Sequence, residues 1–315
     1  MKRILVTAGG TATAWHISQI VKKYFQDKIE IQVCDINDPM LVPTIVSAKK
    51  VHRVPPVNHE NYVDAISKII EKEDINYIIP LIPQEAFLFA ADGDFICKQK
   101  IGTTAPKRKT TELLADKYNL FQTLDALAIP TPKLYNKEEI ERKSQYLLKP
   151  RLGFGSIGLE IVTGQELIEK KVDKNTVIQE YCHENDYDEI TVEIYNGKAG
   201  LHLFSRRRVA TKAGVCVKMV PVDDSPFLPY IKKLVESVEC PTAFNVQFLR
   251  DQGVWKLFDC NLRLGAGTAL STAIGFQLTR ALLADMIGEK VNSNWLEIDK
   301  TAKAVLRVYD EIVIR

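Results

Sequence analysis

Ile4-Leu5-Val6-Thr7 runs straight into Ala8-Gly9-Gly10-Thr11, and helical periodicity follows from Ala14 to Phe25. A short apolar strand that breaks at glycine and turns into a helix is the unit of a parallel sheet, whose strands must be covered on both faces. The pattern recurs. Ile29 to Cys34 reads as a second strand ending at Asp35, and Ala65 to Lys72 as an amphipathic helix. Tyr77-Ile78-Ile79-Pro80-Leu81 is another buried strand, and Glu85 opens the next helix. The expectation is an α/β chain with an N-terminal Rossmann-like parallel-sheet domain over residues 1–106. Ligands of such sheets bind beyond the C-terminal strand ends, here the Gly9-Gly10-Thr11 turn, Asp35 and the Pro80 to Glu85 loop.

The glycine turn does not complete the dinucleotide fingerprint, because Ala8-Gly9-Gly10-Thr11-Ala12-Thr13 lacks the third glycine. A nicotinamide-dependent oxidoreductase stays as an alternative, and so does a strand-end anion or substrate pocket. With 315 residues, 46% of them hydrophobic, the chain can build two or three compact units. Its 42 basic and 40 acidic residues give a net charge of +2, too small for a nucleic-acid footprint or a membrane-surface patch. The six cysteines (34, 97, 182, 216, 240, 260) have no metal-ligand spacing, which favours reduced thiols in a cytoplasm. No run approaches the roughly 20 apolar residues that span a bilayer, and Met1-Lys2-Arg3 leads into a strand instead of a signal sequence.

A boundary follows, where Thr103-Thr104-Ala105-Pro106 and Lys107-Arg108-Lys109 interrupt the apolar periodicity. The next helix is expected over Thr111 to Leu127, with Lys117 in its middle, and it stops at Ile129-Pro130-Thr131-Pro132. A short helix, Lys137 to Lys143, precedes a strand at Tyr146-Leu147-Leu148-Lys149-Pro150. Behind Lys149 comes Gly153-Phe154-Gly155-Ser156-Ile157-Gly158, then a strand from Leu159 to Val162. Three glycines between two strands make a hairpin whose amides can close over phosphates, or a turn that needs glycine for geometry alone. Val177 to Cys182 is the following strand, carrying Gln179 and Glu180, and after an acidic loop comes Glu189-Ile190-Thr191-Val192-Glu193. Such a strand can present backbone groups to a flat heterocycle, with a carboxylate beyond the loop free for sugar hydroxyls.

Near the C-terminal end, Asn245-Val246-Gln247-Phe248 is joined through Arg250-Asp251-Gln252-Gly253 to Lys256-Leu257-Phe258-Asp259-Cys260-Asn261-Leu262-Arg263. Alternation puts Asp259, Asn261 and Arg263 on one strand face. Oxygen donors of this kind suit a hard cation, so Gln247, Asp259 and Asn261 are candidate Mg2+ ligands and Arg263 a candidate phosphate clamp. A hairpin with a solvated polar face is the competing reading.

Taken in order, these segments resemble the ATP-grasp superfamily. The likeness runs through Asp116-Lys117-Tyr118 with Ile129-Pro130-Thr131-Pro132, Leu148-Lys149-Pro150 with the glycine loop, Gln179-Glu180-Tyr181, and Glu189-Ile190-Thr191-Val192-Glu193. The segments from Asn245 to Phe248, Asp259 to Arg263 and Ala269 to Gly288 are most similar to the synthetase modules of the carbamoyl-phosphate synthase large chain. The resemblance implies a two-lobed ATP-grasp α+β domain, with a small nucleotide-binding lobe over 107–182 and a C-terminal lobe with the metal site over 183–315. Lys117 and Lys149 would contact phosphates, and Gly153, Gly155, Ser156 and Gly158 would fold over them. Gln179, Glu180 and the backbone of Cys182 would meet adenine, with Glu189, or Asp186 or Asp188 in the loop, on ribose. Gln247, Asp259 and Asn261 would hold one or two Mg2+ ions, with Mn2+ as a substitute, and Arg263 would steady the transferred phosphoryl group. The family's usual metal-binding glutamate is Asp259 here, and its usual proline after the asparagine is Leu262.

The implied activity is an ATP- and Mg2+-dependent ligase joining a small-molecule carboxylate to an amine through an acyl phosphate. The acceptor would approach near Thr11 and Glu85, and Arg206-Arg207-Arg208 would line the anionic substrate's path or form a solvated basic face. Alternatives are a module forming carbamoyl phosphate and a non-catalytic ATP-binding sensor or assembly subunit. The tail from Val305 to Ile314 is expected to complete a sheet, and a homodimer is the commonest soluble assembly.

Overall fold

The computed structural model describes residues 1–153, 158–182, 189–308 and 310–314. The Gly155 and Ser156 of the glycine loop, and Asp186 and Asp188, lie outside the described residues.

The alternating N-terminal elements build the expected parallel sheet from β1 (Lys2–Val6), β2 (Ile29–Asp35), β3 (Lys50–Arg53), β4 (Tyr77–Ile79) and β5 (Gly102–Thr103), in the order β3-β2-β1-β4-β5. Helices α1 (Ala12–Tyr24), α2 (Tyr62–Glu73), α3 (Glu85–Leu88) and α4 (Asp94–Gln99) connect them. Strand β3 escapes a reading by hydrophobicity because it is an edge strand, with neither terminal residue buried. Thr11 starts α1, its hydroxyl accepting from Ala14 N at 3.2 Å.

Residues 108–126 form two helices, α5 (Arg108–Leu114) and α6 (Lys117–Ala126), where one was expected. Asp116 is the cause. Its carboxylate accepts from Tyr118 N at 2.9 Å and Asn119 N at 3.1 Å, which makes it an N-cap and puts Lys117 at the first position of α6. Beyond them a four-stranded antiparallel sheet, ordered β6-β9-β7-β8, contains β6 (Leu134–Tyr135), β7 (Gln145–Pro150), β8 (Glu160–Thr163) and β9 (Thr176–Glu180), with α7 (Gly164–Glu169) after β8. The helix expected over Lys137 to Lys143 is only a single 3-10 turn, Lys137–Glu139, closed by reciprocal capping between Asn136 and Glu139.

The largest sheet has six antiparallel strands: β10 (Glu189–Gly197), β11 (Gly200–Lys212), β12 (Val215–Val222), β13 (Ala243–Asp251), β14 (Val254–Asn261) and β15 (Val305–Leu306). Their order is β14-β13-β10-β11-β12-β15, so β13 and β14 lie at one edge. Among the described residues of the expected tail strand, only Val305 and Leu306 pair, with Met219 and Lys218. Helix α8 (Leu228–Ser237) packs on this sheet, and α9 (Thr268–Ala273) and α10 (Leu278–Met286) follow the hairpin.

One apolar cluster joins Ile190, Val192 and Phe248 to Leu120, Phe121 and Leu124 of α6, and another joins Ile17 and Ile20 of α1 to Leu278, Ala281 and Leu282 of α10. Each such side chain contributes about 1.5–3 kcal/mol on burial, so the helices on either side of the hairpin are held firmly. Arg280 adds to the α1–α10 contact, with its guanidinium carbon 3.9 Å from the Tyr24 ring centroid and 3.7 Å from that of Trp295.

Candidate active site

Gln247 and Asp259 are direct cross-strand partners on β13 and β14, and Asn261 lies two residues further along the same strand. Hydrogen bonds then link the row: Asn261 Nδ2 donates to Asp259 Oδ2 at 2.9 Å, and Arg263 Nη1 to Asn261 Oδ1 at 3.5 Å. Gln247 Nε2 donates to Glu189 Oε1 at 2.9 Å, which turns its amide group by way of β10. The three proposed metal ligands are therefore brought together, and Glu189 joins them. A bulge after Gln247 takes Phe258 out of register, so Asp259 remains opposite Gln247. Asn245 Nδ2 donates to Arg263 O at 3.3 Å and fixes the chain just beyond the strand.

Lys149 and Lys117 converge on this row from the other side. Lys149 is 3% exposed and meets no carboxylate within ion-pairing distance among the described residues. Its Nζ donates to Phe258 O at 3.3 Å and lies 5.0 Å from the Phe121 ring centroid. Burial lowers its pKa from the ordinary 10.5 to about 7; Asp259 pulls it up and Lys117 pushes it further down. Lys117 Nζ donates to Gly153 O at 3.3 Å, at the mouth of the glycine loop. Arg263 is half-buried; burial draws its pKa below 12.5, against the pull of Asp259 and Glu85. Its Nε is out of solvent and has no partner among the described residues.

A cavity of about 40 Å³ lies between these groups and the N-terminal domain. Pro80, Ile82, Pro83 and Ala86 line one side, and Lys117, Gly153, Asp259, Asn261 and Arg263 the other. The volume suits a small polar group.

Further out, Glu180 reaches across from β9 to the β13–β14 hairpin. Lys256 Nζ lies 2.8 Å from Glu180 Oε2 and 2.7 Å from Asp251 Oδ2, and Lys133 N donates to Glu180 at 3.1 Å. Both donors meet Glu180 at Oε2, and the Glu180 N–H donates to Lys133 O at 2.8 Å. Cys182 lies beside this group, its thiol pushed up to about 12 by burial and by Asp251. Glu180, Cys182 and Asp251 have ligand atoms within 4.8 Å of one another, but the Lys256 ammonium already supplies the positive charge there. Neighbours in sequence give no sign of Lys256, since Glu180 arrives from 76 residues away. Arg307 carries no sequence signal either; its Nη2 donates to Ala266 O and ties the tail to the loop after Arg263.

Two expectations are corrected. Arg206, Arg207 and Arg208 do not form one basic face. Strand alternation turns Arg207 to the opposite face, and the two that share a face are each held by a carboxylate: Arg206 is 4% exposed and paired with the buried Glu193, which also accepts from Ser271, and Arg208 pairs with Glu189. Glu85 does not face an incoming acceptor either. It is fully buried and accepts from Thr7 Oγ1 at 2.6 Å, Leu81 N at 3.1 Å, Ile82 N at 3.0 Å and the Tyr62 hydroxyl. Burial raises its pKa, and its bonds fix the loop that walls the cavity. At the glycine turn, Gly10 N donates to Asp35 Oδ2 at 2.7 Å, so a carboxylate occupies the amide a pyrophosphate would need.

A parallel-sheet domain feeding two antiparallel sheets, with one lysine from a strand and one from a helix start facing a carboxylate–amide–guanidinium row on the largest sheet, defines an ATP-grasp fold. Comparison with known families agrees: the chain carries a PylC-like N-terminal domain over residues 4–102 and an ATP-grasp domain over 114–266. No curated protein matches the sequence. Among solved structures, the biotin carboxylase domain dimer of Hydrogenobacter thermophilus 2-oxoglutarate carboxylase, in complex with MgADP, ADP and bicarbonate, is 16% identical. It aligns at a TM-score of 0.72 over 92% of this chain and 70% of that one. N5-carboxyaminoimidazole synthetase from Staphylococcus aureus, complexed with ADP, is 15% identical at a TM-score of 0.71 over 92% and 78%. A biotin carboxylase from Campylobacter jejuni is 15% identical at a TM-score of 0.73 over 93% and 72%. Among the described residues no helix is long and apolar enough to cross a membrane.

Proposed function

We propose that this protein is an ATP-dependent ligase that activates a small-molecule carboxylate as an acyl phosphate and passes it to an amine. The observation that carries this reading is Lys149, a buried ammonium whose neighbours are a carbonyl and two aromatic faces. An uncompensated buried cation is costly, and phosphate oxygens entering the cavity would supply the missing charge.

Lys149 and Lys117 would hold the phosphates, with Gly153 and Gly158 at the two ends of the closing loop. Gln179 and the main chain of Glu180 and Cys182 would take the adenine, and Glu189, steadied by Gln247 and Arg208, the ribose. Gln247, Asp259 and Asn261 offer only oxygen donors from adjacent positions, a set that fits Mg2+. Bound there, Mg2+ would neutralise phosphate charge. Arg263 would meet the transferred phosphoryl group through the Nε that has no partner among the described residues, and Glu85 would position the apolar wall that keeps water from the acyl phosphate. The working units are taken as residues 1–106, 107–182 and 183–315. By the example of the Hydrogenobacter domain dimer we also propose a homodimer, acting in the cytoplasm.

ADP release, screened over amino acids, dipeptides and bicarbonate, tests the reading. Turnover should depend on one carboxylate, and Asp259→Asn should lower it by about 100-fold or more. Bicarbonate alone as activator would move the protein to the carbamoyl-phosphate reading, and nucleotide binding with no turnover on any substrate would make it a sensor.

A further inference from the structure

We propose a second ligand site, for a small carboxylate- or phosphate-bearing molecule, in a basic notch at the outer edge of the four-stranded sheet. The notch has a volume of about 350 Å³, within the range of metabolite pockets. Tyr118 and Gln122 of α6 form one wall, Tyr135 and Lys137 at the end of β6 another, and Arg151 and Lys174 the floor and rim. It exists because β6 is short. That strand pairs only with Gln179 and Ile178, so β9 has no strand beside Thr176 and Val177 on that side.

Among the described residues no aspartate or glutamate lines the notch. Lys174 has no hydrogen-bond or ion-pair partner among the described residues, and Lys137 Nζ donates only to Lys170 O, at 3.0 Å. Arg151 is already aimed: Nε donates to both Asp116 oxygens, at 3.1 and 2.9 Å, and the guanidinium carbon lies 5.0 Å from the Tyr118 ring centroid. Its two Nη groups have no partner among the described residues, leaving the fork that binds carboxylate and phosphate oxygens. Lysines along a sheet edge more often serve to discourage strand pairing. A concavity holding two tyrosines and a braced arginine is more than that purpose requires.

The position of Arg151 connects the notch to the first site, a consequence that rests on the nucleotide reading. Arg151 O accepts from Lys117 N at 2.9 Å, and its partner Asp116 caps the helix that Lys117 begins. Lys149 lies two residues before Arg151 and Gly153 two residues after it. An anion drawing on the Arg151 fork would bear on the start of the helix that carries Lys117.

Binding is measured without ATP, so a failure of the nucleotide reading leaves the test intact. The whole protein is labelled with fluorotyrosine, and the fluorine resonances of Tyr118 and Tyr135 are assigned by Tyr118→Phe and Tyr135→Phe. It is then titrated with citrate and, separately, with inorganic phosphate. At least one probe should move both resonances saturably, the responding probe giving the ligand class. Lys174→Glu should weaken that response by about tenfold, while Lys149→Met leaves it unchanged. Resonances that neither probe moves would overturn the proposal. So would a response that survives Lys174→Glu or disappears in Lys149→Met, since the anion would then be elsewhere, in the latter case in the first site.

Discussion

Lys149→Met should make the protein more stable while making it inactive. The lysine is 3% exposed, and its pKa is lowered by burial from 10.5 to about 7. At about 1.4 kcal/mol per pH unit, holding the ammonium in the folded state costs at most about 5 kcal/mol. The unfolded chain keeps this proton up to about pH 10.5, whereas the folded chain releases it above about pH 7. The cost is therefore complete below pH 7, shrinks as pH rises, and vanishes once lysine is neutral in both states. Methionine preserves the aliphatic packing against Phe121 and Phe258 and carries no charge. Urea unfolding of the two proteins should show a gain of several kcal/mol for Lys149→Met at about pH 6, falling to about 1 kcal/mol at about pH 9.5. An equal gain at both pH values, or a loss at the lower one, would refute the account of Lys149 as an uncompensated buried cation.

Glu193→Gln should cost about 3–5 kcal/mol in thermal or urea unfolding, because it strands the buried Arg206 guanidinium, and Glu193→Gln with Arg206→Met should recover much of the loss. His16, with its pKa lowered to about 4 by burial and then by Arg307, favours the fold while neutral. Its contribution is complete above about pH 6.5 and is lost as pH falls towards 4, by about 3 kcal/mol. His16→Gln should flatten that acid limb in unfolding experiments between about pH 7 and pH 4.5. Asp116→Ala removes the α6 cap and should lower stability by about 1 kcal/mol or more, with a further loss from the freed Arg151. If phosphates restore charge to Lys149, Mg-ATP binding near pH 7.5 should take up a fraction of a proton, seen by calorimetry in buffers of different ionisation enthalpy.

The parts legible in the sequence were those governed by local pattern. Buried strands such as Ile4 to Val6 and Ile29 to Asp35 carry their own signal, and so does the hairpin that presents Gln247, Asp259 and Asn261 together. The break at Asp116 was hidden because apolar periodicity continues through it, and only the side-chain bonds to Tyr118 N and Asn119 N decide for a cap. The roles of Arg206, Lys256 and Arg307 were hidden for a different reason. Each meets a partner brought near by the sheet: Glu193 across the β10–β11 pair, Glu180 from the other lobe, and Ala266 from the chain beyond the hairpin. Glu85 was expected to lie where an acceptor approaches, because its position at a strand end fits such a place, and only burial with four donors reveals a brace.

The charge arrangement also bears on whether the site performs chemistry or only binds. Lys117 and Arg263 line a cavity whose one acidic lining residue among those described is Asp259, the opposite wall is apolar, and the buried Lys149 acts electrostatically on both Asp259 and Lys117. Such a wall lowers the local dielectric, which raises both the cost of the unpaired cations and their grip on an entering anion. Two lysines would be enough to retain a polyphosphate. Arg263 is a further cation, held behind Asn261 by its own hydrogen bond and fixed at its carbonyl by Asn245. Its Nε is sealed from solvent and has no partner among the described residues. A protein that merely sensed the nucleotide would have little use for that reserved donor, whereas phosphoryl transfer needs one at the oxygen where charge develops.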